Sequence, residues 1–339
     1  MASRLALLFL FAAYLQAADL RIGVLSLFRP ERVTVRSTQV LQIQAGPRLV
    51  TLAPGQVAGM LAAGPEIDLF AQQLQSSAPK VTVTGRGGAP VAFDLKIEGK
   101  IDRKFVGRLE VTSIGSRLEP IVLVDIESAV SAIVAAEMPK DAPMEALKAM
   151  AVLARSFYVA GGRRHGAYDF CDTTHCQWRR EAIAPDHPAA LAAAATSDTI
   201  LTYDGRPIAA MYHASCGGRT KSAADVGLPV DRYPYFPVDC DICKGEAQSW
   251  IRKLPAGLLK SPTESQRLEV VRKLGWDALP SNNYASRTEG DSLIINGRGE
   301  GHGVGVCQRG LIGYARDGAD FRAMLNRYLP QTRTTGRQQ

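Results

Sequence analysis

The sequence predicts an α+β protein: a β-rich N-terminal region followed by a mixed helix and strand core that carries a cleft. Three observations predict it. Residues 19 to about 118 alternate apolar or β-branched with polar side chains over short segments broken by glycine turns. Helical periodicity begins abruptly near Ser128, and strand patterns return after residue 199. The expected divisions are a leader at 1–18, the β-rich region at 19–118, the core at 119–330 and a flexible tail at 331–339.

The first element is a targeting segment. Arg4 precedes an apolar run from Leu5 to Leu15, and the small residues Ala17 and Ala18 follow. That layout is a secretory signal, too short to span a bilayer comfortably. An exported protein is expected, periplasmic or associated with a cell wall, with a membrane contact only if this segment is retained. The β-rich region comes next, with strands predicted at Arg32–Ser37, Val40–Ile43, Lys80–Thr84 and Phe105–Thr112. It holds no histidine or cysteine.

A helix is predicted over Ala129–Met138, capped by Ser128 and stopped by Pro139. A second starts near Asp141 with Pro143 in its first turn and ends at Gly161-Gly162, and a third spans Pro188 to Ala195. Strands follow at Thr199–Tyr203, Ile208–His213 and Ser292–Ile295, with helices at 264–274 and Phe321–Tyr328. From Gln331 onward the chain reads as frayed.

The 339 residues are 46% apolar and 22% charged, ordinary globular values, and a net charge of +7 is mild for this length. No run of five like charges occurs, which argues against a nucleic-acid partner. Attraction to a polyanionic surface is compatible with the charge.

Five constellations carry candidate chemistry. Glu137 sits among Ile, Val, Ala and Met, where burial would raise its pKa toward that of a general acid. Lys148 and Arg155, seven residues apart, share a helix face across the small Ala151. His165, Cys171, His175 and Cys176 offer four soft or borderline ligands within twelve residues. Adjacent His175 and Cys176 would bind one ion awkwardly, so His165, Cys171 and Cys176 make the expected set. From spacing alone, a metal and a Cys171–Cys176 disulfide stand level. Met211 to Gly218 is a polar cluster at a strand end. Gly297 to Gln308 holds five glycines in nine residues around His302, and no P-loop follows it.

These pieces together resemble the stage II sporulation protein D (SpoIID/LytB) family, which includes the amidase-enhancer proteins. Ala135-Ala136-Glu137-Met138-Pro139, Glu145-Ala146-Leu147-Lys148-Ala149 and Ala154-Arg155-Ser156-Phe157 are similar to its central signature. Tyr212 to Gly218 resembles its His-Ser-x-x-Gly-Gly segment, and Gly301 to Gln308 its Gly-His-Gly-x-Gly-x-Ser-Gln segment. Asp172-Thr173-Thr174 with Gln177, and Phe105-Val106-Gly107-Arg108-Leu109, match two further stretches. The ordered set runs over roughly residues 100–315. The chain departs from the pattern at Cys307, where serine is usual, at Ala214, and at Cys216 before the paired glycines.

The resemblance implies a lytic transglycosylase acting on peptidoglycan strands stripped of stem peptides. Glu137 falls at the catalytic position, and Lys148 and Arg155 at basic positions beside it. Gln177, Tyr212, His213, Ser215, His302 and Gln308 would bind substrate. A structural Zn2+ would fit His165, Cys171 and Cys176, with His175 as an additional ligand, and no organic cofactor is expected. Cys216, Cys240, Cys243 and Cys307 are open to two disulfides or a second metal. No motif indicates a second carboxylate, which suits a transglycosylase better than a hydrolase. Two competing expectations are a non-catalytic activator of a cell-wall amidase and a zinc-dependent hydrolase.

Overall fold

A computed structural model describes residues 19–162, 164–179, 181–229, 233–246 and 249–336. The expected leader at 1–18 and the last three residues of the expected tail lie outside the described residues.

The N-terminal region forms most of a twelve-stranded sheet. Leu20–Gly23 pairs antiparallel with Arg117–Val124, and the latter pairs with Ile101–Ile114. The ladder continues through Val91–Ile97, Arg32–Arg36, Val57–Ala63, Glu66–Ala71 and Leu74–Ala78. A side branch joins Lys80–Thr84, Leu41–Ala45 and Arg48–Leu52.

The 14-residue strand Ile101–Ile114 serves both parts. Its first half pairs with Val91–Ile97 and its second with Lys80–Thr84. Gly107 stands at the switch with φ +143°, and a Cβ there would strike the Leu123 carbonyl and lie 3.0 Å from Val122 Cγ1. Only glycine fits that corner. Alternate side chains such as Val35, Ile43, Val83, Leu95, Phe105 and Leu109 are fully buried, so one face of each strand supplies the core. The sheet runs to Val124 rather than 118, because Arg117–Val124 is held between Leu20–Gly23 and Ile101–Ile114.

The core begins with α1 (Ile126–Glu137). Its cap is Asp125, which accepts the Ser128 N–H at 2.9 Å, so the helix starts three residues before the sequence-based expectation. A short connection leads to α2 (Met144–Gly161), whose entry residue is Pro143, and α3 (Pro188–Ala195) packs on both. Burial of Val130, Ile133, Val134, Met150 and Leu153 joins these helices to the same core as the sheet.

Thr199–Tyr203 pairs with Arg206–Pro207 on one side and Arg333–Gly336 on the other. The chain past Gln331 is therefore a sheet edge as far as Gly336, not a frayed tail. The expected strand Ile208–His213 contracts to Tyr212–His213, which lies parallel to Val306–Cys307. Helix α4 is Asp241–Glu246.

Residues 249–298 build a small unit that the sequence revealed only in part. Ser249–Pro255, Tyr284–Glu289 and Ser292–Arg298 form a three-stranded antiparallel sheet beside α5 (Glu264–Leu274). Trp250, Leu254, Val270, Val271, Leu279 and Ile295 form its own core. The chain then returns through α6 (Gln308–Arg316) and α7 (Phe321–Tyr328) to pack against α2.

Candidate active-site cleft

Glu137 is the last residue of α1, and Pro139 prevents the helix from continuing past it. Its side chain lines a cavity of about 500 Å³ together with Ser215, Glu300, Gln308, Arg309 and Arg316. Burial pushes its carboxyl pKa above the usual glutamate range. Gln308, the Trp178 N–H and the Tyr212 hydroxyl oppose this without cancelling it. Gln308 Nε2 donates to the Glu137 carboxylate at 3.3 Å and to its backbone carbonyl at 3.2 Å.

A hydrogen-bonded chain sits behind the carboxylate. Gln177 donates to the Ala154 carbonyl at 3.1 Å, which fixes its amide oxygen toward Tyr212, and Tyr212 donates to that oxygen at 3.3 Å. With a single phenolic hydrogen, Tyr212 can donate either to Gln177 or to the Glu137 carboxylate, and the second bond is the one that lowers the Glu137 pKa. Gln177 is buried, so it positions Tyr212 instead of meeting a ligand.

The glycine-rich loop packs against backbone. Gly299 has φ +74°, and a Cβ there would lie 2.7 Å from Gly217 N. The Glu300 N–H bonds to the Ser215 carbonyl at 2.8 Å and the Ser215 N–H to the Glu300 carbonyl at 3.1 Å. His302 accepts the Val304 N–H at 3.0 Å, and burial pushes its pKa down to about 4, with Arg267 adding to the shift. His213 donates from Nδ1 to the Val304 carbonyl at 3.0 Å and is held down to about 3 by burial and by His302. The two rings meet edge-on at 5.7 Å. Both are neutral props of the loop, and neither lines the cavity, although the resemblance implies that both bind substrate. Ser215 and Gln308 do line it.

The basic pair of α2 is also placed differently from expectation. Arg155 is wholly buried; its guanidinium bonds to both Glu127 oxygens at 2.8 and 2.6 Å and to the Thr199 and Ala193 carbonyls at 3.0 Å. Such a group has no face left for a substrate. Lys148 is bonded to Glu145 at 2.6 Å, whose other oxygen accepts the Phe321 N–H and caps α7. The cations of the cleft are instead Arg309 and Arg316, on one face of α6, and its carboxylates beyond Glu137 are Glu300 and Asp317. The signal for them was present: Arg309, Ile312, Gly313 and Arg316 recur at i, i+3, i+4 and i+7.

Both ligand clusters assemble. The donor atoms of His165, Cys171, His175 and Cys176 all lie within 4.8 Å of one another. His165 Nε2 is 3.2 Å from Cys176 Sγ, and His175 Nδ1 is 3.6 Å from Cys176 Sγ and 3.9 Å from Cys171 Sγ. Adjacency of His175 and Cys176 is no obstacle, because the turn closed by the Cys176 N–H on the Thr173 carbonyl aims both side chains inward. Cys176, Thr173 and His175 push the Cys171 thiol down to about 4. Two imidazoles and two sulfurs converging in this way fit a tetrahedral zinc ion. None of the four lines the cleft. The sulfurs of Cys216, Cys240, Cys243 and Cys307 likewise lie within 4.8 Å of one another, and all four residues are buried.

Among the described residues, no helix is long and apolar enough to cross a membrane. A family model described as a stage II sporulation protein matches residues 115–203, from the last strand of the large sheet through α1, α2 and α3. The stage II sporulation protein D of Bacillus subtilis is 24% identical over 257 residues, covering 62% of this chain and 74% of that protein. That of Bacillus amyloliquefaciens is 24% identical over 258 residues, covering 60% and 72%. An uncharacterised protein of Brachyspira hyodysenteriae is 28% identical over 241 residues; they span 60% of this chain and 65%, just under two thirds, of that protein. The family match includes the helix that ends in Glu137, and over about 60% of its length the chain is similar to the stage II sporulation protein D of two Bacillus species.

Proposed function

We propose that the protein is an exported peptidoglycan lytic transglycosylase that cleaves the bond between N-acetylmuramic acid and N-acetylglucosamine with Glu137 as its one acid–base group. The observation that carries this reading is a carboxyl group whose pKa is raised by burial at the wall of a cleft of about 500 Å³. Glu137 donates its proton to the glycosidic oxygen as that bond breaks. The resulting carboxylate then accepts the proton of the muramic acid 6-hydroxyl, whose oxygen bonds to C1 and closes a 1,6-anhydro ring. The nucleophile is tethered to the reacting carbon, so its effective concentration is high. Tyr212 and Gln308 hold the carboxyl in place through both transfers. Arg309 and Arg316 supply positive charge for the lactyl carboxylates of stripped strands.

The cluster of His165, Cys171, His175 and Cys176 would hold a structural zinc ion, which supplies a cross-link and no reacting group. Its place outside the cleft lining speaks against a zinc-dependent hydrolase. A second reading rests on Glu300, which shares the cleft with Glu137: two carboxylates are what a hydrolase needs. An amidase activator would bind glycan in this cleft without cutting it.

Digestion of purified, denuded glycan strands followed by mass spectrometry separates the three. Anhydro ends are expected from the intact chain, and Glu137→Gln should lower their release by about 10²–10⁴-fold. Hydrated reducing ends would favour the Glu300 reading, and binding without products the activator. Since the fold holds the Glu137 proton more tightly than the unfolded chain does, its stabilising effect is present at low pH and lost as pH rises through the raised pKa. Glu137→Gln should therefore melt no lower than the parent at neutral pH.

A further inference from the structure

We propose that Cys216, Cys240, Cys243 and Cys307 bind a second zinc ion in a closed, four-thiolate tetrahedron. The four sulfurs come from three separated segments: the end of the cleft strand, the start of α4, and the N-cap of α6. Cys243 Sγ and Cys307 Sγ stand 3.6 Å apart. Four sulfurs each about 2.3 Å from a central zinc stand about 3.8 Å from one another. Cys240 and Cys243 have the two-residue spacing with which a single turn presents two thiolates to one zinc.

Hydrogen-bond donors converge on these sulfurs. Cys307 Sγ accepts the backbone N–H groups of Cys216 at 3.4 Å and Gly310 at 3.3 Å. Tyr328 Oη lies 3.0 Å from Cys240 Sγ, and Ser215 Oγ lies 3.8 Å from Cys243 Sγ. Donors aimed at sulfur offset the excess negative charge of four thiolates on a divalent ion, and disulfide sulfurs would make little use of them. A side chain at Gly310 would collide with Tyr328 and sit 3.1 Å from Cys240 Sγ, so the helix approaches this closely because that residue is glycine. An all-sulfur set excludes calcium and magnesium, and complete burial leaves no open coordination position. The site is structural.

Its placement gives it a task. Ser215, Ile242 and Gln308 line the cleft, and each is the immediate neighbour of one of these cysteines. The ion would fasten three walls of the cleft at a common point, independently of what reaction the cleft performs.

The test is metal content of the full chain by plasma mass spectrometry, with cadmium-113 resonance after exchange. Two zinc equivalents per chain are expected, and two cadmium signals, one of them in the all-sulfur range. The double substitution Cys171→Ser and Cys176→Ser should leave one equivalent and that all-sulfur signal, and adding Cys243→Ser should abolish both. If the variants fail to fold, the two-signal spectrum of the parent still decides. Two disulfides mapped on non-reduced peptides, a stoichiometric iron with visible sulfur-to-metal absorption, or four free thiols without metal would each overturn the proposal. Glycan cleavage is not read in this experiment, so its outcome stands apart from that of the proposed activity.

Discussion

Helices α2 and α6 each carry two cations seven residues apart, yet the two pairs have opposite fates. On α2, Arg155 is driven into the core and neutralised by Glu127, while Lys148 is tied to Glu145. On α6, Arg309 and Arg316 line the cleft, and the ion pair of Arg316 with Asp141, at 3.6 Å, is exposed instead of buried. The difference lies in what surrounds the pair. Nearly every residue of α2 from Ala146 to Tyr158 is buried, so a cation on it must bring a partner inside. Helix α6 buries only Gln308, Gly310 and Leu311 and leaves its other faces to the solvent side. Spacing identifies a face; the apolar content around the helix decides whether that face meets protein or ligand.

The comparison can be broken by substitution, and the largest effect falls on α2. Arg155→Met leaves Glu127 and two buried carbonyls without their donor and should cost about 3 kcal/mol of stability, the low end for a buried pair because Glu127 is partly exposed. A urea midpoint would measure it, and the activity of the folded fraction should be unchanged.

Next is the double change Arg309→Ala and Arg316→Ala, expected to weaken binding of denuded glycan about tenfold, or ~1.4 kcal/mol, with an unaltered melting temperature. Unchanged affinity would remove α6 from the binding surface.

Gln308→Ala tests the neighbouring group. Its amide lowers the Glu137 pKa, so its loss should raise that pKa further and move the alkaline limb of the kcat/KM profile to higher pH. A limb that moves down, or stays, would detach Glu137 from the titration.

The smallest effect is assigned to Lys148→Ala: less than about 1 kcal/mol in stability, since the pair is partly exposed, and no change in cleavage. A collapse of cleavage here would return α2 to the substrate site.

The sequence made the elements plain wherever local chemistry governs them. Lys80–Thr84, Pro188–Ala195, Thr199–Tyr203, 264–274 and Phe321–Tyr328 are found at their expected bounds. Boundaries failed where a long-range partner decides, as for Arg117–Val124, held by two neighbours, and Arg333–Gly336, held by the distant strand Thr199–Tyr203. Glu137 was legible because its apolar flanks and the following proline are local. Glu300 and Asp317 were obscured because only the folded chain shows which residues of a glycine-rich stretch and its helix share a cavity. The position of His213 and His302 outside the cavity lining was hidden for a related reason: the glycines around His302 let two backbones touch, which only the folded chain shows.

The strand Phe170–Cys171, contributed by the core, lies parallel to Leu20–Gly23 at the end of the large sheet. It works like a hem stitched across two pieces of cloth. Because it comes from the loop that bears His165, Cys171, His175 and Cys176, the N-terminal sheet and the ligand cluster share a seam. Severing the chain near residue 125 would strip that loop of its docking edge, so the β-rich region and the helical core are to be expected to travel together, as one heritable unit.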